Sequence, residues 1–292
     1  MDTLKVFIAE QDIEARDSDS YRKWLLGLTG KGLRSGAQLQ VFPPWSGLQV
    51  LLYRNPQVKK WPDLAKLPEP EVRACHDLTL EICSSVCVSA GIYMVPGTFL
   101  RPSSWQGKWE HCTYLLDPQG NIPGGQSQTH LSPGADISGL APGNELFVID
   151  TSFGKIGFLI DEDAWYPEIS RILALKGVRL VVALVARNKP YSRWQQLAGL
   201  WQEVQQNQFF GIESGLNCHL LGVEFESRAA VMGPCEITSG NTGYVTREES
   251  PVIGELDFRE LERIRREYPL LKFLNRKLYE KWLPDLYAGH RR

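Results

Sequence analysis

Apolar side chains alternate between two spacings along the chain. Residues 4–9, with Leu4, Val6, Phe7 and Ile8, predict a strand, and an acidic loop follows it. Tyr21, Trp24, Leu25 and Leu28 then fall at i, i+3, i+4 and i+7, one face of a helix. Residues 39–42 predict a second strand, stopped by Pro43 and Pro44. From about Pro70 a long helix carries Val72, Cys75, Leu78, Ile82 and Val86 in one stripe, and Gly91 is placed to end it in the left-handed conformation. Residues 92–96 and 112–116 predict strands, the second closed by the turn Asp117-Pro118-Gln119-Gly120. Strands over 146–151 and 156–160 flank the turn Ser152-Phe153-Gly154-Lys155.

After Ile160 a short acidic loop leads into a helix with Pro167 in its first turn and Gly177 just past its end. Residues 180–186 are apolar throughout and rich in valine, as a strand buried on both faces requires. A Gln-rich helix is expected from Trp194 to about Phe210, with further strands after it. Asp257 and Glu260 form a D-x-x-E capping box for a helix carrying Leu261, Ile264 and Tyr268. The alternation continues without an internal repeat, so one mixed α/β domain is expected over residues 1–292.

Composition narrows the partners. A chain of 292 residues that is 43% hydrophobic buries a large core, which excludes wholesale disorder. Thirty-two basic against 34 acidic residues leave a net charge of −2, and no basic run is present, so neither nucleic acid nor anionic membrane is an expected partner. The longest apolar run, 180–186, is far short of the roughly 20 residues of a membrane span. The start, Met1-Asp2-Thr3-Leu4-Lys5, lacks the basic beginning and apolar core of a secretion signal. Six scattered cysteines without a CxxC pair, Cys83 and Cys87 being at helical spacing, read as reduced thiols of a cytoplasmic protein, with no metal and no cofactor expected.

Candidate chemistry centres on the strand-to-helix junction, where Ile160 is followed by Asp161, Glu162 and Asp163. Ligands of open α/β sheets sit beyond the carboxyl ends of strands. Three carboxylates there suit Mg²⁺ or phosphate chemistry, or else a solvated loop whose charge favours the following helix N-terminus.

This junction resembles the nucleophile elbow of the nitrilase (carbon–nitrogen hydrolase) superfamily, and the resemblance runs along nearly the whole chain. Residues 36–44 (GAQLQVFPP) resemble the family's first active-site strand. Residues 112–120, followed by Gln126-Ser127-Gln128-Thr129-His130-Leu131, resemble its second motif. Residues 154–168, with Arg171, Ala174, Leu175 and Gly177, resemble its third, and 209–217, 228–236 and 256–287 follow in family order. The resemblance implies a four-layer α-β-β-α sandwich. It also implies amide or nitrile hydrolysis by a Glu base, a Lys and a Cys nucleophile. At the matching positions this sequence has Pro44, Gln128 and Asp161. Pro44 offers no side-chain acceptor, Gln128 carries no charge, and a carboxylate is a weak nucleophile toward amides.

The expectation is therefore a pseudoenzyme, retained for small-molecule binding or assembly. One alternative is a hydrolase-like enzyme with repurposed, metal-assisted chemistry on Asp161, Glu162 and Asp163; another is a structural subunit beside an active relative. Asp161, Gln128, Arg187, Glu162 and Trp165 are the expected pocket residues. Strands 156–160 and 180–186 are joined by one helix and should be parallel neighbours with their carboxyl ends side by side. Asp161 is accordingly expected as an ionised carboxylate held by Arg187; the competing arrangement leaves Arg187 in solvent. In Glu110-His111-Cys112, alternation sends His111 to the opposite face from its neighbours. Cys112 is expected as a small buried hydrophobe and His130 as structural. Trp109, Trp165 and Tyr166 are candidates for pocket walls or core packing.

A homodimer or larger homo-oligomer is expected. The resemblance implies pairing through the helix over 168–176 and through the C-terminal tail, about 270–292. Ile169, Ile172, Leu173 and Leu175 exceed what one stripe against a sheet requires, and the tail holds Phe273, Leu274, Leu278, Tyr279 and Trp282.

Overall fold

Strand β1 (Thr3–Ile8) shows how the layers arise, because Leu4, Val6 and Ile8 enter one core and Phe7 another. It runs parallel to β2 (Leu39–Val41), which is followed in parallel by β3 (Tyr93–Val95). A bridge from Met94 to Leu116 links this sheet to the antiparallel set β4 (Thr98–Pro102), β5 (Trp109–Leu115) and β6 (Gly124–Ser127). The second sheet contains β7 (Ile149–Thr151), β8 (Gly154–Ile160), β9 (Leu180–Val185) and β10 (Phe210–Gly215), the last three mutually parallel. A short hairpin, β11 (His219–Leu220) with β12 (Val223–Glu224), follows. Then β13 (Ala230–Met232) and β14 (Tyr244–Arg247) extend the second sheet, and β15 (Val252–Asp257) returns antiparallel to β1. The computed structural model describes residues 2–105, 107–247 and 251–288; Met1 and residues 289–292 of the tail lie outside the described residues.

The apolar run in β9 is continuous because each face has its own partner. Leu180, Val182 and Leu184 meet Leu4, Val6 and Ile8 between the two sheets. Val181, Ala183 and Val185 face outward onto Ile169 and Leu173 of the helix Pro167–Leu175 and Val204 of the helix Gln202–Asn207. The outer face of the first sheet is covered by helices Ser18–Arg34 and Glu69–Ala90, through Tyr21, Leu25, Leu28, Ile82, Cys83 and Val86. The architecture is a four-layer α-β-β-α sandwich, with Gly91 ending the long helix at φ 64° as expected.

Two expectations need correction. The Gln-rich stretch is not one helix: Gly199 leaves helical geometry (φ −91°, ψ −123°), and regular helix resumes only over Gln202–Asn207. Gly199 lies beside the segments that follow β8 and β9, where an added Cβ would be 3.7 Å from Ala164 Cβ and 3.8 Å from Arg187 Nη2. Glutamine spacing carries no trace of that contact. At the helix Phe258–Glu267, Asp257 does cap, accepting from Arg259 N at 2.9 Å. Glu260 turns away to Arg263 and does not complete the box.

Gly97, between β3 and β4, has φ 84°, and a Cβ there would overlap the Pro43 carbonyl oxygen. Left-handed strain and overpacking together predict that Gly97→Ala lowers unfolding free energy by about 3 kcal/mol. Urea denaturation measures this; a loss within about 0.5 kcal/mol, the range of neutral surface changes, contradicts it.

Candidate functional site

Strand β8 ends in a sharp turn, and Asp161 occupies its apex with φ 46°. A left-handed non-glycine residue stores of order 1–2 kcal/mol of strain and persists only where its surroundings hold it. Asp163 supplies that hold. Its buried carboxyl accepts from Thr129 N (3.0 Å), Thr129 Oγ1 (2.8 Å), His130 N (2.8 Å) and Ile160 N (3.2 Å). One side chain thus ties the loop after β6, which carries Gln128, to the β8 turn.

Asp161 Oδ1 accepts the Ala186 N–H at 2.7 Å, just beyond β9. His111 Nδ1 lies 3.5 Å from Asp161 Oδ2. His111 is fully buried and stacks on Trp45 at 3.6 Å with the planes only 4° apart. Its bonds form a chain: Trp45 N–H donates to Thr98 Oγ1 (2.7 Å), Thr98 Oγ1 donates to His111 Nε2 (2.6 Å), and His111 Nδ1 donates to Gln128 Oε1 (3.0 Å). Gln128 Nε2 continues it to the His130 carbonyl at 2.8 Å. Hydrogen positions here follow from making every donor meet an acceptor. Burial pushes the His111 pKa down to about 3, with the Gln128 bond opposing. Trp45 is itself left-handed, at φ 64°.

Burial is also the largest influence on Asp161, raising its carboxyl to about 7. Glu162 and Asp163 push the same way, and the Ala186 N–H and Arg187 oppose. The expected Asp161–Arg187 ion pair is not formed. Arg187 does leave β9 beside Asp161, but its guanidinium is taken by Glu213 on β10, Nη1 to Oε1 at 2.6 Å and Nη2 to Oε2 at 3.1 Å. Glu213 is fully buried and also accepts from Gln196 Nε2 at 2.9 Å. A completely buried acid within bonding reach outcompetes one at a cavity wall, because it has no water to fall back on.

A cavity of about 510 Å³ opens over Asp161. Gln128, Glu162, Trp165 and Arg187 all contribute to its lining, together with Trp45, Trp61 and Phe225. The three consecutive carboxyls diverge: Asp161 goes to Ala186, Glu162 accepts from Ser132 Oγ (3.1 Å), and Asp163 faces backbone amides. Among the described residues no three His, Cys, Asp or Glu side chains gather as metal ligands. Trp109 is buried in the core, donating to the Leu64 carbonyl, and Tyr166 stacks on His130 at 3.6 Å; neither lines the cavity. Cys112 is buried as expected, and Glu110 turns to Arg101. Pro44 is buried beside Trp45.

Sequence reading missed His111, Trp45, Thr98 and Glu213 as members of this site. Two signals were available. Alternation had already turned His111 away from Cys112, toward the face where the site lies. Glu213 is an acid inside the apolar stretch of β10, and such a residue demands a buried cation.

An elbow residue held left-handed at the end of a parallel strand, on a four-layer α-β-β-α sandwich, is the frame of a hydrolase-like α/β protein. Residues 8–266 match the carbon–nitrogen hydrolase family, and the chain belongs to it. It is 28% identical over 210 residues to an (R)-stereoselective amidase of Pseudomonas sp., covering 72% of each chain. It is 22% identical to an omega-amidase of Bos taurus, over 96% of this chain and 98% of that one. Among solved structures, a double mutant of the amidase from Nesterenkonia sp. AN1 in complex with acrylamide superposes with a TM-score of 0.76 at 15% identity, covering 97% of this chain and 98% of that one. No helix among the described residues is long and apolar enough to cross a membrane.

Proposed function

We propose that this chain binds a small molecule in the Asp161 cavity and does not hydrolyse amides or nitriles. It is a carbon–nitrogen hydrolase scaffold kept for recognition and assembly, working as one domain over residues 1–292. The observation that carries this reading is the trio at the positions resembling the family's base, charge stabiliser and nucleophile: Pro44, Gln128 and Asp161. None supplies the property its position calls for, whereas the cavity above them is open and large enough for a ligand. The test is ammonia release from a panel of amides and nitriles, with none expected above background. All six cysteines are unpaired thiols, which supports a reducing, cytoplasmic setting.

Assembly is proposed through the face the sequence marked as over-apolar. Ile169 and Leu173 are buried against the second sheet, but Ile172 and Leu175 stand 41% and 53% exposed. The C-terminal helix Arg276–Ala288 reaches the same region, Tyr287 OH donating to Glu168, and it leaves Leu278, Trp282 and Leu286 exposed. Light scattering at micromolar concentration is expected to give a dimer or larger species, and Leu175→Glu to shift it toward monomer. A monomeric wild type contradicts the proposal.

A further inference from the structure

The walls of the cavity have an uneven charge. Two carboxyls, Asp161 and Glu162, line it, and among the described residues its only lining cation is Arg187, already held by both oxygens of Glu213. Among the described residues no lysine or histidine contributes to the lining. Trp45, Trp61, Trp165 and Phe225 line the same cavity. Asp161 Oδ1 is used by Ala186, while Oδ2 has only the 3.5 Å approach of a histidine that already donates to Gln128. A carboxyl left 16% exposed at the base of an aromatic chamber, with no cation of its own, is a half-made ion pair.

We propose that the ligand is a small organic cation, a protonated primary or secondary amine with an apolar body, its ammonium on Asp161 and its body against the indoles of Trp45 and Trp61. This deepens the binding reading above and rests on it. An ammonium supplies the missing charge and two or three donors for Oδ2 and Glu162. Indole faces attract a cation through their ring quadrupole, an attraction that grows as water is excluded. A carboxylate ligand would meet two acidic groups and no free cation, and a neutral alcohol or amide would leave the charge uncompensated.

The groups facing Asp161 set the pH behaviour. They are His111 from β5, Gln128 from the loop after β6, Arg187 from the end of β9, and Glu162 and Asp163 of its own turn. His111 stays neutral above about 3, so the titration near neutrality belongs to Asp161, at about 7. The amine requires the ionised carboxylate, so binding below that pH drives a proton off Asp161 into the buffer. Between pH 5.5 and 7.5 affinity is expected to rise about 25-fold, the ratio of ionised fractions.

The experiment is isothermal titration calorimetry of the full chain with 2-phenylethylamine, 2-phenylethanol, 3-phenylpropionate and phenylacetamide, at pH 5.5 and 7.5, in buffers of differing ionisation enthalpy. The amine is expected to bind, with proton release at pH 5.5, and the alcohol to bind at least about tenfold more weakly, the scale of one lost ion pair. Asp161→Asn is expected to weaken the amine by a similar factor and to flatten its pH dependence. Proton release by the unaltered protein tests the same point without a variant. Equal binding of amine and alcohol, preference for the carboxylate, pH-independent amine binding or no binding by any probe overturns the inference. Binding of phenylacetamide in preference to the amine overturns the cationic class and leaves the non-hydrolytic reading standing. Ammonia release from phenylacetamide overturns that reading instead.

Discussion

Purified protein incubated with short aliphatic and aromatic amides and nitriles is expected to release no ammonia above the uncatalysed background, and Asp161→Ala is expected to leave that rate unchanged. The argument is chemical at each position. A buried proline cannot take a proton from a nucleophile. Gln128 accepts from His111 through Oε1 and gives one Nε2 hydrogen to the His130 carbonyl, and the neutral amide brings no positive charge to a developing oxyanion. Loss of one oxyanion donor alone costs about 10²–10³ in rate. Attack by Asp161 would produce an anhydride, and at neutral pH a carboxyl raised to about 7 is only partly ionised. Losses within one catalytic unit are not additive, and removal of a whole triad costs on the order of 10⁶. Turnover that disappears in Asp161→Ala would falsify the non-hydrolytic reading.

Breaking the Arg187–Glu213 pair should be the most damaging single change to stability. Glu213 is 0% and Arg187 10% exposed, and their bonds are bidentate. Removing one partner strands the other charge in the interior, at a cost of about 3–5 kcal/mol. Glu213→Ala should therefore lower Tm by about 10 °C in a chain of this size, measured by calorimetry. Replacing both, Glu213→Leu with Arg187→Met, is expected to cost less than either single removal, because no unpaired charge remains. A double variant less stable than both singles would show instead that the pair is worth more than its desolvation.

The fold was readable because burial writes itself into spacing. A strand covered on both faces, such as β9, must be apolar at every position, and the helix Ser18–Arg34, covered on one side, shows its stripe at 21, 25 and 28. The parallel pairing of β8 with β9 followed from one short crossover. Other features depend on contacts between distant segments and leave no periodic trace. Gly199 leaves helical geometry where Arg187 and Ala164, distant in sequence, lie beside it. Arg187 had two acids to choose from, and only the register of β10 against β9 puts Glu213 within reach. His111 is in the site because β5 pairs with β6, which delivers Gln128 to it.

The aromatic chamber has an optical consequence. Trp45 and Trp61 lie 4.9 Å apart, inclined by 57°, and Trp165 and Trp194 lie 5.3 Å apart at 74°. Indoles this close and this steeply inclined couple their electronic transitions, which gives intense circular dichroism in the near ultraviolet. Four of the nine tryptophans of the chain belong to these two pairs, and three of those four line the cavity. The protein therefore carries its own chromophores at the cavity proposed to hold a ligand. An occupant that wedges against the rings changes their polarity and mutual tilt, and so registers in emission and dichroism without a label of any kind.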